Sequence, residues 1–376
     1  MWLHFFWRTV MKGLYIHIPF CVKKCEYCNF LSFSGCEGYF DEYISSLLRE
    51  MKKYQGTECD TVFIGGGTPS VLSYKQIKRV CDGVKRNFKL SPNLEWTMEI
   101  NPGTITDDKI KAMKNGGINR VSVGVQSFND NELEAVGRIH TAKSAYDTVV
   151  SLHNAGFSNI SIDLMESLPY QTADSFKHSL EVAMSLSISH ISVYSLIIED
   201  GTPIKEKYDN GIYALPDEDS DRDLYKYTGE YLKQNGFSRY EISNYSKAGF
   251  ESKHNLKYWN CDEYIGIGLG AHSYNDGVRS YNTAVLEEYI SGVTTVDENI
   301  LTKNDKMGEF MMLGLRKAEG VDKNEFYRRF DVYPDEIWKS QLDKFIALKL
   351  MKEENGAYSL TQRGIDISNS IMCEFL

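Results

Sequence analysis

The residues with the plainest chemistry are three cysteines, Cys21, Cys25 and Cys28, in the run Ile-His-Ile-Pro-Phe-Cys-Val-Lys-Lys-Cys-Glu-Tyr-Cys-Asn-Phe that ends at Phe30. The spacing C-x3-C-x2-C puts three thiolates on one short loop, enough to hold three irons of a [4Fe–4S] cube. Clusters that only carry electrons are usually closed by a fourth cysteine. Here the fourth iron has no ligand in the motif and stays open to a small chelating molecule. Metal binding itself would supply the deprotonation the thiols need. Two blander readings compete. A structural zinc site wants a second C-x2-C or H-x3-H pair, and none follows. Disulfides suit regularly spaced cysteines in an exported chain. The other five, Cys36, Cys59, Cys81, Cys261 and Cys373, have no regular spacing, and no signal-peptide pattern is present. They read as small buried hydrophobes in a reducing cytoplasm.

Other segments could bind a ligand beside such a cluster. Gly65-Gly66-Gly67-Thr68-Pro69 follows an apolar run, and its glycines permit close backbone approach. It is not G-x-G-x-x-G, so a dinucleotide reading is weak; a tight turn and a ligand cradle both remain. Tyr27, between two cysteines, either shields the cluster or packs the loop. Glu99, Gln126, Arg138 and Asp163 fall at or just beyond the ends of strand-like runs. Singly each is an ordinary polar residue; around one mouth they would make a polar cage. His254-Asn-Leu-Lys-Tyr258-Trp259 puts a histidine beside two aromatic rings. That histidine could ligate a heme iron while the rings stack on the porphyrin. The alternative, which residue type alone favours, is a histidine satisfied by hydrogen bonds in an aromatic core.

The elements that would position these residues alternate regularly. Strands are expected at 13–18, 61–64, 95–100, 118–123, 159–164 and 190–196. Helices are expected between them at 38–54, 73–88, 106–115, 142–155 and 172–186. In the first helix Phe40, Tyr43, Ile44, Leu47, Leu48 and Met51 recur on one face. Ser73 is a plausible N-cap for the second. Alternation of this kind means parallel strands joined by crossover helices. Six units make an α/β fold, an incomplete (β/α)6 TIM-like barrel, whose working residues belong at the C-terminal strand ends. Every unusual segment falls there. Beyond residue 196 the pattern weakens. Residues 200–234 are polar, and the acidic run 217–223 reads as a solvated face. From about 301 the order becomes helix, helix, hairpin, similar to a small winged-helix domain.

The composition is ordinary for a globular chain, 42% hydrophobic and 25% charged over 376 residues. A net charge of -10 argues against nucleic acid as the main partner, including for the winged-helix-like end. No apolar run reaches the ~20 residues of a membrane span. Met1–Val10, apolar and followed by Met11, reads as a misassigned start or a loosely held tail.

In order along the chain, these segments resemble the radical SAM superfamily and, within it, the HemW family of heme chaperones, kin of the HemN oxygen-independent coproporphyrinogen III oxidases. The carrying segments are Tyr15-Ile-His-Ile-Pro-Phe-Cys21, the glycine motif, Glu99-Ile-Asn-Pro-Gly-Thr104, Asn119–Phe128, Gly137-Arg-Ile-His140, Ser161–Met165, Ile191–Glu199, His254–Trp259 and Gly266–Tyr274. The resemblance implies a [4Fe–4S] cluster on the three cysteines and S-adenosylmethionine (SAM) on the open iron. By position it implies SAM contacts from Tyr15, Gly66 and Glu99, and contacts to a second SAM from Gly67, Thr68, Gln126, Arg138 and Asp163. It implies a heme role for His254. Heme would be the cargo, recipient hemoproteins such as membrane-bound respiratory enzymes the partners, and the cytoplasm the location, at the membrane only during delivery; a homodimer stays open. The competing implication is the oxidase, which decarboxylates porphyrinogen propionates through a 5′-deoxyadenosyl radical. Phe30 stands where HemN has a further cysteine, and only 14 residues precede Tyr15; both features favour the chaperone. One departure touches the site: Glu166, Ser167 and Tyr170 replace the Tyr, Gly and Gly usual in HemW, putting the second SAM position in doubt. The implied organisation is an extension at 1–12, a radical SAM barrel at 13–235, a HemN-like extension with the His254 segment at 236–300, and a winged-helix-like domain at 301–376.

Overall fold

A computed structural model describes Met11–Leu376; the expectation about Met1–Val10 lies outside the described residues. Six strands, β1 (Lys12–Ile18), β2 (Glu58–Gly66), β3 (Lys89–Ile100), β4 (Arg120–Gln126), β5 (Asn159–Glu166) and β6 (His190–Ser195), pair in parallel in chain order. Crossover helices connect them, among them Phe40–Met51, Tyr74–Asn87, Asp107–Gly116, Ala142–Asn154 and Ala173–Ser185. Ser73 caps the second as expected, in a reciprocal bond with Gln76.

Alternation along the strands separates two environments. Leu14, Ile16, Ile18, Val62, Ile64, Val121, Val123, Ile160 and Ile162 form one core with helix residues such as Tyr43, Leu47, Val80 and Leu180. The intervening residues point into the barrel and are largely polar: Tyr15 meets His17 two residues along the same strand, and on neighbouring strands Arg120 meets Thr97, Ser122 meets Asp163, and Ser161 meets His190. A barrel filled with polar side chains is organised around a ligand more than around packing alone.

The sheet is larger than six strands. β8 (Asn244–Ser246) adds antiparallel to β6 and β7 (Ser238–Arg239) antiparallel to β8, while β9 (Tyr264–Ile267) adds parallel to β1. An antiparallel meander of β10 (His272–Asn275), β11 (Val278–Asn282) and β12 (Thr295–Ile300) continues that edge. Residues 236–300 thus flank both edges of the barrel sheet. Gly266-Ile-Gly-Leu-Gly, given no element in the sequence reading, begins in β9. A Cβ on Gly266 would lie 2.0 Å from the His272 carbonyl oxygen, so close pairing with the next strand requires glycine there.

The polar stretch 200–234 contains the helices Pro203–Asp209 and Glu218–Gln234. The acidic run is the start of the second, where Asp217 accepts the Ser220 N–H and carboxylates face the positive end of the helix dipole. The C-terminal region has its own core, including Met311, Leu315, Phe326, Leu342, Phe345 and Phe375. Its helices Lys303–Gly314, Lys323–Phe330 and Pro334–Ala347 precede a hairpin of β14 (Met351–Glu354) and β15 (Ala357–Leu360), with β13 (Val321–Asp322) on the far side of β15. Asn355 and Gly356, both at positive φ, make the two-residue turn. Among the described residues no helix is long and apolar enough to cross a membrane.

Candidate cluster and cofactor site

The cysteine loop leaves β1 at the C-terminal end of the barrel and is tied down by its neighbours. Gly67 N–H donates to the Ile18 carbonyl (2.9 Å), Thr68 N–H to Phe20 (2.8 Å), and Cys21 N–H to Phe33 (2.8 Å). His17 Nε2 lies 2.9 Å from the Leu31 carbonyl oxygen, and its Nδ1 lies 3.0 Å from the Tyr15 hydroxyl. The glycine turn is packed too tightly for side chains. A Cβ on Gly66 would meet the His17 ring at 2.7 Å; on Gly67 it would meet the Phe20 carbonyl at 2.8 Å and Cys21 Sγ at 3.0 Å. Gly66 also has φ 118°, a conformation that favours glycine.

Together these elements surround a solvent-open cavity of about 140 Å³. Cys21, Cys25 and Cys28 line it, with Tyr27, Gly66, Gly67, Thr68, Glu99, Gln126, Arg138 and Asp163. Eleven residues singled out from the sequence thus converge on one space. The three thiols face a ring of donors and acceptors, which suits a cluster with one iron open to a polar chelator. Thr68 Oγ1 lies 3.4 Å from Cys21 Sγ, and Arg138 Nη1 donates to Cys25 Sγ at 3.4 Å. Arg138 Nη2 bonds Asn101 Oδ1 (2.8 Å) and the Gly124 carbonyl, while its Nε has no partner. Burial pushes the Cys21 and Cys28 thiols up, so metal loading would release protons.

Glu99 accepts the Gly66 N–H at 3.1 Å. Burial, with Asp163 nearby, pushes its carboxyl up to about 8. Burial also raises Asp163, against the opposing influence of Ser192, Arg120, Arg138 and Ser122. Two acids in one low-dielectric space cannot both ionise freely. They are suited to accept hydrogen bonds from a cationic ligand. Gln126 sits at φ 68°, a strained non-glycine conformation at the end of β4.

Two predicted residues lie elsewhere. Tyr15 does not line the cavity; its ring packs near Phe63, with centroids 6.2 Å apart, and its hydroxyl faces His17. His254 lies toward the opposite end of the barrel and is 1% exposed. Its Nδ1 is 2.8 Å from Thr61 Oγ1 and its Nε2 is 2.9 Å from the Tyr258 hydroxyl. Its backbone N–H donates to Glu95 and its ring stacks on Phe63. With both ring nitrogens engaged, His254 has none free for an iron in this arrangement; the hydrogen-bonded core reading describes it. Burial, with Lys257 and Arg120 nearby, pushes its pKa down to about 3, so the ring is neutral.

The departing loop keeps its glycine-like path. Ser167 and Tyr170 adopt φ 62° and 64°, so the backbone survives the loss of both glycines at the expense of strain. Ser167 Oγ donates to Asp221 at 2.6 Å, and buried Glu166 accepts from Thr228 at 2.8 Å. Sequence reasoning overlooked Asn101, Ser122, Gly124 and the inward-facing His17 and Arg120. Period-two counting would have found most of them: His17 from Tyr15, and Ser122 and Arg120 from Gly124.

The chain matches the Radical SAM superfamily over residues 15–183 and the HemN C-terminal domain over residues 301–367. It is 38% identical to heme chaperone HemW of Lactococcus lactis, covering 97% of both chains. It is 38% identical to that of Bacillus subtilis, covering 97% of this chain and 99% of the other. Against that of Escherichia coli the identity is 35%, with 97% and 98% covered. Among solved structures, coproporphyrinogen III oxidase (HemN) from Escherichia coli superposes with TM-score 0.83 at 22% identity, covering 97% of this chain and 90% of the other; this likeness establishes a shared fold. Full-length identity at this level, with the radical SAM match on the cysteine-bearing half, places the chain in the HemW family of the radical SAM superfamily.

Proposed function

We propose that the chain is a heme chaperone. The reading is carried by full-length identity of 35–38% to proteins named heme chaperone HemW. Cys21, Cys25 and Cys28 hold the [4Fe–4S] cluster that the superfamily implies. Gly66 and Glu99 receive SAM, with the glycine turn giving backbone access and Glu99 accepting hydrogen bonds. Thr68, Gly67, Gln126, Arg138 and Asp163 complete the cage, and Tyr27 covers the cluster side. When reduced, a cluster of this type can supply an electron to SAM. The protein's own contribution is to orient the ligand, place Arg138 beside Cys25 and keep acceptors turned inward.

Heme is the cargo, and recipient hemoproteins, including membrane-bound respiratory enzymes, are its destination. The protein works in the cytoplasm and meets the membrane only at delivery, alone or as a homodimer. Heme ligation by His254 requires Tyr258 to release Nε2 and the helix Lys253–Trp259 to open. The HemN likeness supports the fold and supplies no independent case for decarboxylation.

Anaerobic incubation of cluster-loaded protein with coproporphyrinogen III, SAM and a reductant separates the two readings. The expected result is no decarboxylated porphyrin, together with a Soret band when heme is added. Decarboxylated product in stoichiometric excess over protein would make it an oxidase.

A further inference from the structure

Arg120 is the least satisfied charge in the barrel. It is 2% exposed, and no carboxylate among the described residues forms an ion pair with it. Its side chain makes one long hydrogen bond, from Nη1 to Thr97 Oγ1 at 3.4 Å, and its Nε has no partner. Burying a guanidinium this way is unfavourable unless something nearby needs its charge.

Register identifies what does. Arg120 pairs with Thr97, and Ser122, two residues on, pairs with Glu99. Gly124, two further, pairs with Asp163. One inward step along a strand is about 7 Å, so the guanidinium lies beneath the two carboxylates at the cavity floor. Its charge favours the ionised form of both. The other cation near Asp163, Arg138, is occupied with Cys25, Asn101 and Gly124. Below Arg120, burial disfavours the charged forms of His190 and His254, so neither supplies a competing cation. Tyr15 and Tyr258 also face Glu99, and burial keeps both neutral.

We propose that Arg120 is a positioning residue, the shared counter-cation of the Glu99–Asp163 pair, acting from inside the barrel to keep that pair able to accept the ammonium and ribose hydroxyls of SAM. The proposal rests on the reading of the cavity as a SAM site. Arg120 acts through the carboxylates and need not touch the ligand. Without it, ligand binding must first remove a more tightly held proton, a penalty present at low pH and absent once both acids are ionised.

The test is SAM affinity by anaerobic equilibrium dialysis from pH 6 to 9.5, using cluster-reconstituted wild type, Arg120→Met and Arg120→Lys. Arg120→Met is expected to bind about tenfold more weakly near pH 7. It should equal or exceed wild type at the alkaline end, where removing a cation favours the positively charged ligand. Arg120→Lys should fall between them. In a Glu99→Gln background the low-pH loss on removing Arg120 should shrink, since an amide needs no counter-cation. Should Arg120→Met fail to hold its cluster, Arg120→Lys and the double variant decide the matter. Superimposable profiles, or a loss of equal size at every pH, would overturn the proposal. Wild type that carries its cluster but binds no SAM would overturn the cavity reading and this proposal with it.

Discussion

The two ends of this barrel treat polar groups in opposite ways. At the mouth, Arg138 Nε has no partner, Glu99 and Asp163 share one low-dielectric space, and three thiols face open volume. Toward the floor, His254 and His190 have both ring nitrogens engaged, by Thr61 and Tyr258 in one case and by Ser161 and Tyr240 in the other. Buried polar groups are normally satisfied. Where they are left unsatisfied around a cavity, a ligand is the missing partner. The mouth is built to receive something, whereas the two floor histidines are closed on themselves until something moves.

The sharpest way to break this contrast is at the cysteines. Cys25→Ala should abolish the brown cluster absorbance and nearly all bound iron after reconstitution; iron content at the wild-type level would refute the ligand assignment. Gly67→Ala should lose most of its iron as well, because the new methyl group would press on Phe20 and Cys21. The comparison variant Gly249→Ala, in open space and, unlike Gly67, at positive φ, should cost stability through its backbone and spare the cluster.

The floor can be opened in turn. Tyr258→Phe removes the partner of His254 Nε2. If His254 takes heme iron after opening, this variant should strengthen heme binding several-fold and His254→Ala should weaken it. Equal Soret titrations in both variants would assign heme elsewhere.

The raised Glu99 makes a smaller prediction. Its folded pKa of about 8 lies above the unfolded carboxyl value near 4.3. The folded state therefore holds the proton more tightly, and stability declines as pH rises between those values. Glu99→Gln should flatten that decline in denaturant melts of the metal-free protein; an unchanged pH slope would mean the carboxyl is not raised. Smallest of all, Tyr170→Gly should stabilise by about 1 kcal/mol by relieving left-handed strain, whereas Ser167→Gly gives up its bond to Asp221 and should gain less. Stability lost in Tyr170→Gly would show that the ring's packing outweighs the backbone.

Much of the mouth was legible because its residues lie at strand ends, and strand ends follow from alternating hydrophobicity. The cysteine spacing and glycine run then mark the same place independently. β9 was missed because Gly266 and Gly268 look like punctuation, although one is needed for close strand pairing. The helix Glu218–Gln234 was obscured by its acidic start, which serves its dipole. Tyr15 was expected in the cavity but sits a layer below, a difference of depth that spacing does not encode. The Tyr258 bond to His254 Nε2 lies one helical turn away and was within reach of the motif, whereas the partner of Nδ1 is Thr61, nearly two hundred residues away, which no local pattern could reveal.

The most direct test of the account is heme transfer. Cluster-loaded protein would be charged with heme, freed of excess, and mixed anaerobically with an apo-hemoprotein, with and without SAM. The account predicts that the recipient's own heme spectrum appears faster than from free heme quenched by an equal amount of albumin, and that Cys25→Ala slows it. Transfer no faster than that control, from protein whose cluster is intact, would contradict it.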